Sequence, residues 1–233
     1  MRLDKFLSET GTASRADSRK AGARGGVTVN GVAVRDLSVH IDPESDVITY
    51  LGAVVSYQKY TYLMLNKPDG VLSATEDGEG KTVLDLVPEK YRKMGLFPCG
   101  RLDKNTLGLL ILTNNGALAH RLLSPKHHVE KTYMFRCANP LSEADGALLC
   151  RGVDIGEKSS TRPATLALDS PTAGRITVVE GKYHQIKRMF EAVGNRIVYL
   201  ERVAFAGIPL DEALPRGAWR PLTDAEQAKI ESL

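Results

Sequence analysis

The stretch "GRLDKNTLGLLILT", residues 100–113, passes from a charged loop into an apolar run. Leu109 to Leu112 form an unbroken apolar block that reads as a buried strand. Just ahead of it a single carboxylate, Asp103, stands between Arg101 and Lys104. In an extended chain Arg101 and Asp103 point to the same face, and nearby bases favour the charged form of an acid. Taken alone, an R-x-D of this kind is more often a surface ion pair than a catalytic group.

Working outward, "YTYLMLNKPDGVLSA" reads as a second buried strand that stops at the turn Pro68-Asp69-Gly70. "TNNGALAHRLLSP" predicts a short helix, with Thr113 or Asn114 as its cap, Leu118 and Leu122 on one face and Pro125 marking its end. "EKTYMFRCA" and "RITVVEGKY" read as strands. In "HQIKRMFEAVG", Ile186, Met189, Phe190 and Val193 fall at i, i+3, i+4 and i+7, and Gly194 fits the C-terminal cap of a helix. Strands and helices alternate without a regular βαβ repeat, which predicts an α+β fold with a mixed, mostly antiparallel sheet and flanking helices.

The N-terminal region has a different character. Leu3, Phe6 and Leu7 share one helical face. Ser14 and Asp17 are spaced as a capping box ahead of a second, basic helix. In "VTVNGVAV" two alternating valine pairs flank Asn30-Gly31, the preferred two-residue hairpin turn. Residues 1–35 hold seven bases and three acids, a net +4. The whole chain is +3, so the rest is close to neutral at −1. A basic head on a neutral body suits a polyanion such as nucleic acid, although most charge runs are only solvated helix faces.

The chain has 233 residues, 42% hydrophobic and 25% charged, ordinary for a globular protein with room for one large domain or two smaller ones. The first residues lack the apolar core of a secretory signal, and no apolar run is long enough to span a membrane. The three cysteines, Cys99, Cys137 and Cys150, form no C-x-x-C pair, so neither zinc binding nor a disulfide framework is indicated and a reduced, cytoplasmic setting is expected. His127 and His128 adjoin each other, a poor spacing for holding one metal ion. Phosphate-loop, dinucleotide and zinc-deaminase signatures are absent. With no heptad pattern, a monomer is expected.

"RLDKFLSETGTASRADSRKAGARGGVTVNG" resembles the S-four-like RNA-binding module. That resemblance covers most of residues 1–48 and implies a helix pair and hairpin that present bases to structured RNA. The family favours larger side chains than Ala21 or Ala23, so looser packing is expected there. The implied layout is a small RNA-binding domain at 1–50, a linker at 51–59 and a larger body at 60–233. "LNKPDGVLSA", "GRLDKNTLGLLILTNNG", "HHVEKTY" and "EGKYHQIKRMF", in that order, resemble the motifs of the pseudouridine synthases, most nearly the group acting on small-subunit ribosomal RNA.

The pseudouridine synthase resemblance implies a body with a central cleft and assigns Asp103 as the one essential catalytic acid. It assigns Tyr133 to stacking on the uracil and Lys187 to pairing with the acid, where many relatives carry Arg. Without it, Tyr133 would read as a core aromatic. Chemistry agrees with a lone carboxylate. Breaking a nucleoside's glycosidic bond builds positive charge at the anomeric carbon, which an adjacent anion stabilises or attacks. A hydrolase would normally need a second carboxylate to handle water. No cofactor is implied, because the isomerisation is redox-neutral.

Helix geometry independently favours Lys187. With Ile186 at 0°, Lys187 falls near ~100° and Arg188 near ~200°. Lys187 then borders the buried face, while Arg188 points away, free for phosphate or water. The candidate RNA contacts are Arg2, Lys5, Ser14, Arg15, Arg19, Lys20, Arg101, Lys126, His127, Lys131 and Arg188, with ribosomal RNA or a partly assembled small subunit as partner. A large-subunit specificity, a non-catalytic RNA-binding assembly factor and a nucleoside hydrolase are the competing readings. The last would be expected to carry a clustered-aspartate metal motif, which this sequence lacks.

Overall fold

In a computed structural model of the chain, the structure describes residues 1–57 and 59–233. The chain divides into two compact units. The first comprises Met1–Thr61 and Val87–Phe97, and the second Tyr62–Leu86 and Pro98–Leu233.

The first unit contains helices α1 (Leu3–Glu9) and α2 (Arg15–Ala23), then strands β1 (Val27–Val29), β2 (Val32–Ala33), β3 (Ile48–Tyr50) and β4 (Ala53–Val54), with α3 (Glu89–Lys93) returning to it from further along the chain. Leu3, Phe6 and Leu7 of α1 form its core with Ala21, Val27, Leu37, Ile41 and Ile48. Ser14 caps α2 by accepting from the Asp17 backbone N–H. Asn30 and Gly31 both adopt positive φ, at 51° and 81°, the backbone that a type I′ hairpin requires.

Leu51 and Gly52 repeat that turn at 50° and 85° and join β3 to β4. Residues 51–54, read from sequence as linker, are therefore the second half of a hairpin. Two flanking strands too short to show an alternating pattern hid it. Gln58, within the same expected linker, lies outside the described residues. In the second helix Ala21 is buried in the core and Ala23 is exposed, and a Cβ at Gly22 between them would come within 3.1 Å of the Leu37 side chain.

The second unit is built on a sheet whose main path runs β13-β5-β7-β11-β8-β10-β9. Its strands are β5 (Tyr62–Lys67), β6 (Phe97–Pro98), β7 (Leu107–Thr113), β8 (Lys131–Cys137), β9 (Thr165–Ser170), β10 (Ala173–Val178), β11 (Ile197–Phe205), β12 (Ile208–Pro209) and β13 (Trp219–Pro221). Along the main path only β7 and β11 run parallel, giving the mixed, mostly antiparallel sheet expected. Its helices are α4 (Gly116–Leu123), α5 (Glu143–Arg151), α6 (Gln185–Ala192) and α7 (Asp224–Glu231). Helix α5 packs on β9, α6 on β11 and α7 on β12. Asn115 caps α4, accepting from the Leu118 N–H. Thr113 instead ends the preceding strand, and its hydroxyl accepts from the Asn115 N–H. Among the described residues no helix is long and apolar enough to cross a membrane.

Two features of the sheet set the position of the Asp103 loop. Gly108 has φ 96°, and a Cβ there would lie 2.3 Å from the Arg202 carbonyl oxygen. The parallel approach of β11 to β7 thus requires glycine. The Lys67 ammonium, fully buried at the end of β5, donates to the carbonyls of Pro68, Lys104 and Thr106 at 3.1, 3.0 and 3.0 Å. It ties the loop just after Asp103 to the sheet. Burial pushes Lys67 down to about 8.

Candidate active site

The loop 100–106 opens onto a cleft of about 630 Å³ in the second unit, lined by Asp103, Tyr133, Lys187 and Arg202 among others. Asp103 stands at its wall with its side chain 26% exposed. The adjoining Leu102 is fastened to Ser73, whose hydroxyl donates to the Leu102 carbonyl at 2.8 Å and accepts from its N–H at 3.0 Å. The carboxylate is therefore presented by a backbone held at Lys67 and Ser73.

Lys187 donates to Asp103 Oδ2 at 2.6 Å and to Asn105 Oδ1 at 2.6 Å. Lys187, which helix geometry placed at the border of the buried face, thus reaches Asp103. Thr106 Oγ1 lies 3.4 Å from the same Oδ2. The other oxygen, Oδ1, has His184 Nε2 at 3.5 Å. His184 begins α6 in a left-handed conformation, φ 50°, and its ring stacks on Tyr183 at 3.8 Å between centres.

Tyr133 lies on the inner face of β8 with Lys131 and Phe135, all three buried. The alternation expected from the sequence puts its ring against the cleft. Ile186, Val178 and Leu200 supply apolar wall around it.

The predicted RNA-facing residues fall into several groups. Arg101 is exposed at the cleft and makes no ion pair among the described residues. Lys126 and His127 are exposed on the segment after α4. Lys131 is only 6% exposed and donates to the Val129 carbonyl at 2.9 Å, so it belongs to the cleft floor rather than to an outer face.

Arg188 corrects its expectation: it is not free. It pairs with Glu157 at 2.8 Å, donates to the Tyr183 carbonyl at 3.1 Å, and makes a further short bond to the Ile155 carbonyl. The helical wheel gave its direction away from the core but could not show that the loop 154–160 covers it.

In the first unit, Arg2 grips the buried Asp4 through two bonds of 3.1 and 2.8 Å, and this pairing raises the Arg2 pKa and lowers that of Asp4. Arg19 approaches the same carboxylate at 3.9 Å, Lys5 pairs with Glu9 at 3.5 Å and Lys20 with Asp17 at 3.8 Å. The Ser14 hydroxyl is engaged in the cap, donating to Asp17 Oδ2 at 2.6 Å. Arg15 is exposed and has no ion-pair partner among the described residues.

The sequence reading missed Lys67, Ser73, Asn105, His184 and Arg202. His184 stands three residues before Lys187, one turn along the same helical face, so its spacing could have placed it beside Asp103. Lys67 stands in "LNKPDGVLSA" but was given no role there, and nothing in the local sequence marks Arg202, which looks like a solvated base until the sheet buries it.

The cleft brings Asp103, its paired base Lys187 and the buried Tyr133 together, in one chain with a basic helix–hairpin unit, an arrangement suited to an enzyme acting on RNA. Residues 61–192 match the family model for RNA pseudouridylate synthase, and residues 1–48 match that of the S4 domain. The chain belongs to the RNA pseudouridylate synthase family, whose members isomerise uridine in RNA. It is 44% identical to an uncharacterized RNA pseudouridine synthase, YtzG, of Bacillus subtilis, covering 97% of this chain and 96% of that one. It is 40% identical to ribosomal small subunit pseudouridine synthase A of Escherichia coli, covering 99% and 100%. A crystal structure of a pseudouridylate synthase superposes with TM-score 0.70 at 39% identity, over 99% of both chains.

Proposed function

We propose that this protein isomerises a specific uridine of small-subunit ribosomal RNA to pseudouridine, with Asp103 as its catalytic acid. The substrate is the RNA or a partly assembled small subunit, met in the cytoplasm by a monomeric enzyme. The observation that carries the catalytic reading is the Asp103–Lys187 contact of 2.6 Å in the wall of the cleft that Tyr133 lines. Likeness over the full length to a small-subunit enzyme supports the choice of RNA.

The chemistry follows from charge. As the bond from uracil N1 to the ribose anomeric carbon breaks, the sugar becomes positive and the base negative. A carboxylate held against the sugar stabilises the positive centre or adds to it. Lys187 and Thr106 approach Oδ2, and Oδ1, which His184 Nε2 approaches at 3.5 Å, is the oxygen that meets the ribose. The phenol ring of Tyr133 offers a flat apolar surface on which the detached uracil turns before carbon 5 is joined to the anomeric carbon. Removing the target uridine from its stack costs a few kcal/mol, which stacking on that ring offsets.

Tritium release tests the assignment. Small-subunit ribosomal RNA labelled at carbon 5 of uracil should lose label with the wild type and retain it with Asp103→Asn. Equal release from both would remove Asp103 from the chemistry. Release with neither would refute the activity on this RNA.

A further inference from the structure

Arg202 faces the cleft from β11, directly across the ladder from Tyr133 on β8. It is 1% exposed. Nε donates to the Leu109 carbonyl at 2.7 Å, and the guanidinium carbon lies 4.8 Å from the centre of the Phe205 ring. Nη2 is buried with no hydrogen-bond partner, and among the described residues no carboxylate pairs with the group. Lys131 is a second buried base beside it, with Nζ 5.6 Å from the same Phe205 ring. Burial and the neighbouring Arg202 push Lys131 down to about 8.

The nearby acids are already occupied. Glu180 accepts from the Arg162 N–H and from Gln185 Nε2. Glu201, the next residue along β11, pairs with Arg216 at 2.8 Å. A buried guanidinium lacking an anion is destabilising unless a ligand brings the acceptor. An unpaired N–H donor in a cleft wall is the arrangement that stabilises charge developing on a reacting group.

In uridine isomerisation that charge is on the base. Cleavage leaves the bonding electron pair on uracil N1, delocalised over the two carbonyl oxygens. We infer that Arg202, backed by Lys131, receives a uracil carbonyl oxygen and stabilises the base while it is detached. This inference rests on the isomerase activity proposed above. The ring's electrons then form the bond from carbon 5 to the anomeric carbon, carbon 5 gives up its proton and N1 takes one. The reaction ends neutral, with nothing oxidised or reduced. Asp103 thus answers the charge on the sugar, and Arg202 the charge on the base.

The experiment compares Arg202→Met and Arg202→Lys with wild type in single turnover, on small-subunit ribosomal RNA containing either uridine or 5-fluorouridine. The readout is loss of the N1-linked nucleoside on digestion. Arg202→Met should slow uridine cleavage about 100-fold, with Arg202→Lys between it and wild type. On 5-fluorouridine the Arg202→Met loss should shrink to about tenfold or less, because fluorine withdraws charge from the ring and replaces part of what the guanidinium supplies.

A merely structural role predicts equal losses on both RNAs, and that result overturns the assignment. Should Arg202→Met fail to fold, the same ratio is read from Arg202→Lys, where equal losses overturn it likewise. A wild type inactive on both RNAs refutes the isomerase reading itself, and the role of Arg202 with it.

Discussion

Asp103 is positioned by contacts of unequal reach. Lys187 bridges it to Asn105 through two bonds of 2.6 Å, whereas His184 and Thr106 stand off at 3.5 and 3.4 Å. An ammonium is a point charge on a flexible stem and cannot clamp both carboxylate oxygens as a guanidinium does. The other oxygen has the looser approach of His184. Lys187→Met should lower tritium release about 100-fold by leaving the carboxylate without its bonded cation. Lys187→Arg should retain at least about a tenth of the wild-type rate, since charge and a donor survive. Equal losses in the two variants would show that length, not charge, is what the site needs. The meeting of Asp103 with Lys187 and the place of Tyr133 in the cleft wall were legible in the sequence because each residue sits in a compact linear motif. Lys67 shares such a motif but its burial was not legible, and Arg202 lies in none, because a base reads as solvated until parts of the chain distant in sequence supply carbonyls and an aromatic face to bury it.

Among the elements, β11 is the one whose omission hid most of the cleft floor. Its "YLERVAF" carries Glu201 and Arg202 side by side, which breaks any apolar pattern. Both are nonetheless buried, on opposite faces of the strand. The glycine of "TLGLL" is where β11 meets β7, and neither side chain nor periodicity reveals that requirement. Gly108→Ala combines a positive φ with a Cβ 2.3 Å from a backbone oxygen. It should destabilise the fold by at least about 2 kcal/mol, measured by urea unfolding. Undiminished stability would mean that the strands separate at no cost. Helix α7 offers a test by pH. Arg220 holds Glu226 down to about 2 from its ordinary 4.5 through bonds of 2.8 and 2.9 Å. A lowered carboxylate pKa contributes stability that is full above 4.5 and is lost as pH falls through about 2, because the unfolded chain takes up the proton first. Glu226→Gln should lose that segment of the acid dependence, leaving a melting temperature that falls less steeply across the same window.

Charge at the scale of the whole molecule is distributed more selectively than a net +3 suggests. The head's acids are committed to particular bases: Asp4 to Arg2 and Arg19, Glu9 to Lys5, Asp17 to Lys20. Composition could show the excess of bases but not this pairing, which depends on helical spacing and on the burial of Asp4. Nor could a linear reading assign residues 87–97 to the first unit, since membership across a gap in the chain is fixed by packing alone. An RNA phosphate must displace a carboxylate to reach Lys5 or Lys20, whereas Arg15, which feels Asp4 only at a distance, is in no ion pair among the described residues. If the head binds RNA through its phosphates, abolishing one phosphate–base pairing flattens the slope of log affinity against log salt by ~0.7 on single strands. Arg15→Gln should therefore lower the slope by about that amount, while Lys5→Gln, whose charge is already answered by Glu9, should lower it by less than ~0.7. Filter binding of small-subunit ribosomal RNA across a salt series measures both. Equal slopes for wild type and Arg15→Gln would make this basic face a solvated one, and the grip on RNA would then have to come from the second unit, where Arg101 and Lys126 are exposed.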